Sequence, residues 1–315
     1  MLWKSTLHDK YIVGDGPYLK ERHTITPKRA TLHSLAAAAG VSLATASQVM
    51  RGAGRISEHT REGARGGAQD RLRAGRAWGG DAQRQQRQIE MLVGNARAGI
   101  MWVPAIGTSA DTIRLLSRRA VPNVTFLRHA PSHPADHVGI QNRLAASAVT
   151  THLADLGHSR IAFLGANLDV ESRRDRIAGY SDILAERGLR GPVVWSCPDS
   201  RRGGMSEFAE LIAAHPTTNA VVCNGDTIAL GAVIAMARAG ILPGRNVSIT
   251  GFDGIEGASL VVPPLTTVSI APYKLGRKLA ETLLSRIRYP DQPLVDLSVQ
   301  GKLVIGATSG PVPAS

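Results

Sequence analysis

The chain has 315 residues, 43% of them hydrophobic, and its 37 Lys and Arg outnumber its 25 Asp and Glu, for a formal net charge of +12. This composition indicates a globular protein of more than one domain and favours a polyanionic partner such as nucleic acid, although a basic solvated surface would look the same. The two distant cysteines, Cys197 and Cys223, argue against a disulfide scaffold or a cysteine-rich zinc site, and the lack of a long apolar run or secretory segment predicts a cytoplasmic protein without a membrane partner.

Residues 1–28 show neither a helical nor a strand period. They contain the turn-forming Asp15-Gly16-Pro17, and basic residues become frequent towards residue 29. We predict a flexible basic arm, or a start site placed upstream of the true one.

Residues 29–62 predict two short helices joined by a tight turn, followed by the start of a third. Thr31 and Ser42 are suitable N-caps, and Gly40 stands where a helix end favours a left-handed residue. Such a helix-turn-helix places its second helix in the major groove of DNA. An alanine-rich helical hairpin inside a core is the alternative.

Residues 63–82 form an Arg/Gly-rich linker in which the glycines dilute any helix. A nucleic-acid-binding linker and a disordered or out-of-frame segment both fit, and we favour the second interpretation.

From residue 83 to residue 310 strands and helices alternate, which predicts an α/β fold with a mostly parallel sheet. The predicted strands are 99–105, 123–128, 137–142, 160–166, 193–197, 220–225, 247–252, 267–271 and 303–308. The predicted helices are one that begins near residue 83, then 109–119, 145–156, 172–187, 204–214, 226–239 and 273–288.

Two sets of motifs stand out along the chain. Residues 29–62 contain the AGVS turn, the S–TxS second helix and G-R-I-S-x-x-T-R-E. The α/β part contains HLADLGHSRIAFLGA, AVVCNGDTIALGA, ITGFDGIE and PPLTTVSI. Together these motifs resemble those of the LacI-type bacterial transcriptional repressors, whose DNA-binding headpiece corresponds to residues 29–62. Within this family, the residues of the G-R-I-S motif and of the AVVC strand resemble the maltose-operon repressor branch most.

The resemblance implies a helix-turn-helix headpiece on a periplasmic-binding-protein-like α/β domain of two subdomains with an effector between them. Its implied partners are an operator in double-stranded DNA, a small sugar-type effector and a second copy of the chain. It implies no cofactor.

By the same resemblance the second helix of the headpiece carries the DNA contacts. We expect Leu43, Ala44 and Gln48 to face the major groove, where an amide can read adenine, and Ser42 and Thr45 to contact phosphate. The complete set of expected DNA contacts is Ser42, Leu43, Ala44, Thr45, Ser47, Gln48 and Arg51.

Polar residues at the carboxyl ends of predicted strands are the expected effector contacts, because open α/β sheets bind ligands there. The resemblance ranks Arg174 and Asp253 first. Arg176, Asn224 and Asp226 complete the set, with a structural salt bridge as the alternative role for Arg176 and Asp226. The family's usual Asn is replaced by Gly225.

Residues 61–98 are too few for the parts that the family places between the headpiece and the strand at residue 99. These parts are a hinge helix and an opening βαβ unit, which alone takes roughly 30 residues. We therefore predict an incomplete first subdomain with exposed strand edges. Without a hinge, DNA binding should be weak and salt-dependent, and the effector should barely change it.

No catalytic constellation is recognisable, so we predict no enzyme activity. His129, His133 and His137 recur every four residues, but Pro131 and Pro134 forbid a regular helix, and we expect a surface loop without a metal. The leading hypothesis is a repressor controlled by a carbohydrate. A degenerate ligand-binding module that no longer represses is the second hypothesis, and a sugar-handling enzyme is the third.

Overall fold

The computed structural model describes residues 81–94, 99–131, 135–167 and 169–312. The predicted arm, the headpiece with all its expected DNA contacts, and the linker up to residue 80 lie outside the described residues. None of the described helices combines the length and apolar character needed to cross a membrane.

The first subdomain is built on a four-stranded sheet in which all neighbours are parallel, in the order β1-β2-β3-β9. Its elements are α1 (Ala82–Gly94), β1 (Ile100–Trp102), α2 (Ala110–Arg118), β2 (Asn123–Phe126), β3 (Asp136–Ile140) and β9 (Asp296–Val299).

The second subdomain is built on a six-stranded sheet of order β10-β8-β7-β6-β4-β5, in which only the β10–β8 pair is antiparallel. Its strands are β4 (Ile161–Ala166), β5 (Val193–Cys197), β6 (Ala220–Cys223), β7 (Ser248–Asp253), β8 (Thr266–Ser269) and β10 (Lys302–Val304). The remaining helices are α3 (Asn142–Asp155), α4 (Glu171–Glu186), α5 (Arg201–Ala214), α6 (Asp226–Arg238), α7 (Glu256–Leu260) and α8 (Pro272–Arg288).

Apolar side chains on successive strands hold the two sheets to their helices. One buried cluster runs from Val124 and Val138 in the first sheet through Phe163 in the second to Leu279 of α8. On the other face of the first sheet, Trp102 packs with apolar residues of α1 and α2. Both subdomains therefore contribute side chains to one continuous core.

The predicted α/β fold with two subdomains is confirmed, and most predicted helices and strands lie within a few residues of the observed ones. Two elements were missed, the short helix α7 and the strand β9. The last strand was predicted over 303–308 but ends at Val304. Beyond it the backbone leaves β8, and Thr308 instead hydrogen-bonds the backbone of Ile249 in β7.

Strand β1 lies at the edge of the first sheet, because in the part of the chain that the structure describes it pairs with β2 alone. Gln85 of α1 supports the loop that follows. Its amide donates to Val103 O at 2.7 Å and accepts from Ala105 N at 2.8 Å. The predicted lack of an opening strand concerns residues 61–98, most of which lie outside the described residues, and it stays a prediction.

Candidate ligand-binding cleft

The carboxyl ends of the central strands of the second sheet meet at one edge. Asn224 follows β6, Asp226 is the first residue of α6, and Asp253 is the last residue of β7. These strands are neighbours in the sheet, so the three side chains start from adjacent points facing the first subdomain.

Arg176 of α4 reaches across this edge and is the centre of the polar contacts there. Its side chain is 11% exposed, and its guanidinium carbon lies 3.5 Å from the centroid of the Phe252 ring. Nε donates to Asn142 Oδ1 at 2.9 Å, a second nitrogen donates to Asn224 O, and Nη2 lies 3.9 Å from Asp253 Oδ1. Burial lowers the pKa of Arg176, and the charge of Asp253 opposes that shift.

Two residues near Arg176 carry oxygen acceptors. The side chain of Asp253 is 38% exposed, and its residue has a positive φ of 110°, which an L-residue seldom adopts. The buried Oδ1 of Asn224 has no hydrogen-bond partner among the residues that the structure describes. Because a buried acceptor without a partner costs free energy, a ligand donor at this point would be stabilising.

Asp226 occupies a different environment from Asp253. It is fully buried and accepts from Thr267 Oγ1 at 2.5 Å and from Ile255 N at 2.8 Å. Burial raises its pKa to about 7, with Asp253 adding to the shift and the hydrogen bonds opposing it. Its carboxylate joins α6 to β8 and to the loop after β7, which is a structural position.

Arg174 points away from this cluster. Its side chain is 59% exposed, and Nη1 donates to Asp169 Oδ1 at 2.8 Å. Residues two positions apart on a helix face nearly opposite ways, so Arg174 and Arg176 cannot both line the cleft. The structure brings together Arg176, Asn224 and Asp253. It therefore favours Arg176 over Arg174 as a ligand contact, whereas the sequence-based ranking placed Arg174 first.

A signal for Arg176 was present in the sequence. Tyr180 and Leu184 follow it at intervals of four residues and are buried, so Arg176 lies on the inward stripe of α4. Asn142 and Phe252 were missed as named contacts. Asn142 is the first residue of α3. Its hydrogen bond with Arg176 depends on the packing of α3 against α4, because the two residues are 34 positions apart in the chain.

A cavity of about 410 Å³ adjoins Asn142 and is bounded by both subdomains. This volume lies in the range typical of small-molecule sites. Its polar lining includes His129, Gln141, Asn142, Glu171, Ser172, Asp175, Asp296 and Ser298.

Comparisons with known proteins agree with this architecture. The family described as "Periplasmic binding protein-like domain" matches residues 150–309, and "Bacterial regulatory proteins, lacI family" matches residues 31–63. The solved transcription regulator GntR from Chromobacterium violaceum is 28% identical with a TM-score of 0.63, over 73% of this chain and 84% of its own.

Two curated relatives extend the comparison. The maltose regulon regulatory protein MalI of Escherichia coli K12 is 27% identical over 337 residues, which cover 89% of this chain and 98% of MalI. The ribose operon repressor of Haemophilus influenzae is 29% identical over 216 residues, which cover 68% of this chain and 64% of that repressor. The MalI alignment is longer than this chain, so MalI contains stretches without a counterpart here.

The resemblance read from the motifs is confirmed: the chain belongs to the LacI family of bacterial regulatory proteins and joins its DNA-binding headpiece to a periplasmic-binding-protein-like domain.

Proposed function

We propose that the chain is a DNA-binding transcriptional repressor and that the cleft around Arg176 binds a small carbohydrate as its effector. The observation that carries the proposal is the convergence of a buried guanidinium, a partly exposed carboxylate and an unpartnered amide oxygen at the carboxyl edge of the second sheet. The names of the two curated relatives, which refer to maltose and ribose, support a carbohydrate.

The chemistry of the cleft suits a polyhydroxylated ligand. Each sugar hydroxyl is both a donor and an acceptor, so Asp253 and Asn224 Oδ1 can accept from hydroxyls while Arg176 donates to them. Arg176 remains charged despite burial, because a guanidinium loses its proton only at very high pH.

Arg176 also connects the two subdomains. Its partner Asn142 begins α3, two residues beyond the end of β3 in the first sheet, whereas Asn224 directly follows β6 in the second. A ligand that competes for the guanidinium therefore changes contacts at the junction, which is how an effector alters the relative position of subdomains.

The proposed domain organisation comprises an arm (1–28), a headpiece (29–62), a linker (63–82) and an effector domain (83–310). We further infer that the protein acts in the cytoplasm as a homodimer on an operator, through Ser42, Leu43, Ala44, Thr45, Ser47, Gln48 and Arg51. The relatives being regulators, the carbohydrate is bound and released unchanged.

One observation favours a second candidate, a ligand-binding module that no longer represses. Within the described residues β1 lacks a strand partner on its outer edge. A first subdomain of this reduced size can retain the cleft and still transmit little of the effector's binding energy to the headpiece.

The experiment that tests the carbohydrate is isothermal titration calorimetry of the full chain with a panel of monosaccharides and disaccharides. We expect at least one member to bind at one site per chain. Binding of no member by a protein whose circular dichroism shows it to be folded would remove the carbohydrate from the proposal.

A further inference from the structure

Four ionisable side chains meet at one end of the cavity, apart from the Arg176 cluster. They are His129, which follows β2, His137 in β3, Asp296 at the start of β9 and Glu171 at the start of α4. The sequence placed His129 and His137 in a histidine series without a metal. The structure adds Asp296, which is 167 residues from His129 in the chain.

Three of these side chains lie near enough to one another to hold a transition-metal ion after small shifts. One ligand atom from each of His129, His137 and Asp296 lies within 4.8 Å of the other two. His129 Nε2 is 3.3 Å from Asp296 Oδ2, and the two imidazole rings stack with centroids 3.7 Å apart. Tetrahedral zinc with bonds of about 2.0–2.1 Å separates its ligand atoms by about 3.4 Å, so small side-chain shifts suffice.

The second nitrogen of each imidazole already has a partner. His137 Nδ1 lies 2.9 Å from Thr125 Oγ1, and His129 Nδ1 donates to Glu171 Oε2 at 2.9 Å. Metal-bound histidines almost always donate their other N–H to an oxygen in this way. A bound ion would replace the present contact between His129 Nε2 and Asp296 Oδ2 with one bond to each atom.

The imidazole of His137 is held in a defined position, as the side chain of a metal ligand is. The residue is 4% exposed, and its Nε2 lies directly above Gly139, where an added Cβ would approach within 2.8 Å. The ring therefore uses the space left by the missing side chain and still lines the cavity.

We propose that His129, His137 and Asp296 bind a zinc-class divalent cation, with Glu171 as the outer-shell acceptor for His129. Two imidazoles and a carboxylate are the donor set that zinc uses in proteins, and the fourth position faces the cavity, where water or a ligand oxygen fits. Three ligands belong to the first subdomain and Glu171 to the second, so the bound ion strengthens a contact across the cleft. The proposal does not depend on a carbohydrate or on DNA.

The test is a titration of the metal-free full chain with Zn²⁺ alone, followed by competition with a chromophoric chelator. We expect one equivalent of Zn²⁺ in the wild type to be lost in His129→Ala and in Asp296→Asn. Asp291→Asn, an exposed carboxylate on the same approach to β9, is the matched control and should retain it. Circular dichroism checks that each variant is folded.

Glu171→Gln separates an outer-shell role from a structural one. It should keep the stoichiometry but weaken Zn²⁺ binding by roughly 10–100-fold, whereas Glu186→Gln at the other end of α4 should have no effect. In the wild type, bound Co²⁺ should show the intense visible absorption of a tetrahedral site. The double variant His129→Ala/Asp296→Asn binding as much Zn²⁺ as the wild type, or no binding by either, would overturn the proposal.

Discussion

At the scale of single residues, the two arginines of α4 form a natural pair for comparison. Arg176 is buried against Phe252 with three polar partners, whereas Arg174 is exposed and bound to one carboxylate. Exposed ion pairs contribute little to stability or binding, whereas hydrogen bonds from a buried charge contribute more.

We therefore expect Arg176→Ala to weaken carbohydrate binding by about 10–100-fold, since hydrogen bonds to a charged group are worth about 1.5–3 kcal/mol. Arg174→Ala, the matched control, should bind as the wild type does. Calorimetry with the best carbohydrate measures both. Loss of binding in Arg174→Ala with retention in Arg176→Ala would restore the sequence-based ranking.

Asp226 makes the free energy of unfolding depend on pH. Burial raises its folded-state pKa to about 7 from an ordinary value of 3.8, so the folded state holds the proton more tightly than the unfolded state does. Its contribution is fully present below the unfolded pKa and is lost as pH rises towards 7, at about 1.4 kcal/mol per unit of pKa difference.

The corresponding experiment compares urea unfolding of the wild type and Asp226→Asn between pH 4 and pH 8. The stability of the wild type relative to the variant should fall between about pH 4 and pH 7 and then level off. Parallel pH profiles for the two proteins would show that this carboxyl does not titrate as the structure indicates.

The sequence could supply part of the cleft but not all of it. Asn224 and Asp253 follow recognisable strands, so their location at the sheet edge was predictable. The choice of Arg176 over Arg174 required the buried stripe of α4, and Asn142 and Asp296 reach the cleft only through contacts between distant segments. Residue type and spacing do not encode such contacts.

At the scale of elements, the close approach of α3 and α4 positions Arg176 and Asn142. Gly179 permits this approach, because an added Cβ would lie 2.1 Å from the backbone oxygen of Arg143. No side-chain rotation can relieve that contact, and so the helices would have to separate.

Gly179→Ala should lower the free energy of unfolding by about 1–3 kcal/mol, the usual cost of overpacking. Gly191→Ala is the control, because nothing lies within 4 Å of its added Cβ. Urea denaturation compares the two variants. An equal effect of both substitutions would mean that the α3–α4 contact is looser than described.

Alternation of apolar strands and amphipathic helices made most elements predictable, because each has a distinct period. Strand β9 was missed because its four residues, DLSV, are half-exposed and stand directly before another short strand. Strand β9 belongs to the first sheet because it pairs with β3, for example His137 with Asp296. These residues are far apart in the chain, so the sequence does not indicate that they pair. The true end of β10 also depends on a tertiary partner, the backbone of Ile249.

At the scale of the whole molecule, the predicted shortening of the first subdomain bears on how the two binding activities are coupled. We predict from the sequence that residues 61–98 lack a hinge helix, and among the described residues β1 pairs with β2 alone. Effector control needs an element whose two states differ in affinity for DNA. We therefore expect that the chain binds both DNA and the carbohydrate, and that the coupling between the two is weak.

Titration of operator DNA at two salt concentrations, with and without the best carbohydrate, tests this claim most directly. We expect weak binding that falls steeply with salt, because a single tethered headpiece relies on phosphate contacts. The carbohydrate should change the apparent Kd by less than about fivefold, the lower end of ordinary allosteric coupling. Tight binding to a palindrome at physiological salt, released by the carbohydrate, would show that residues 61–98 provide a working hinge and that the coupling is strong.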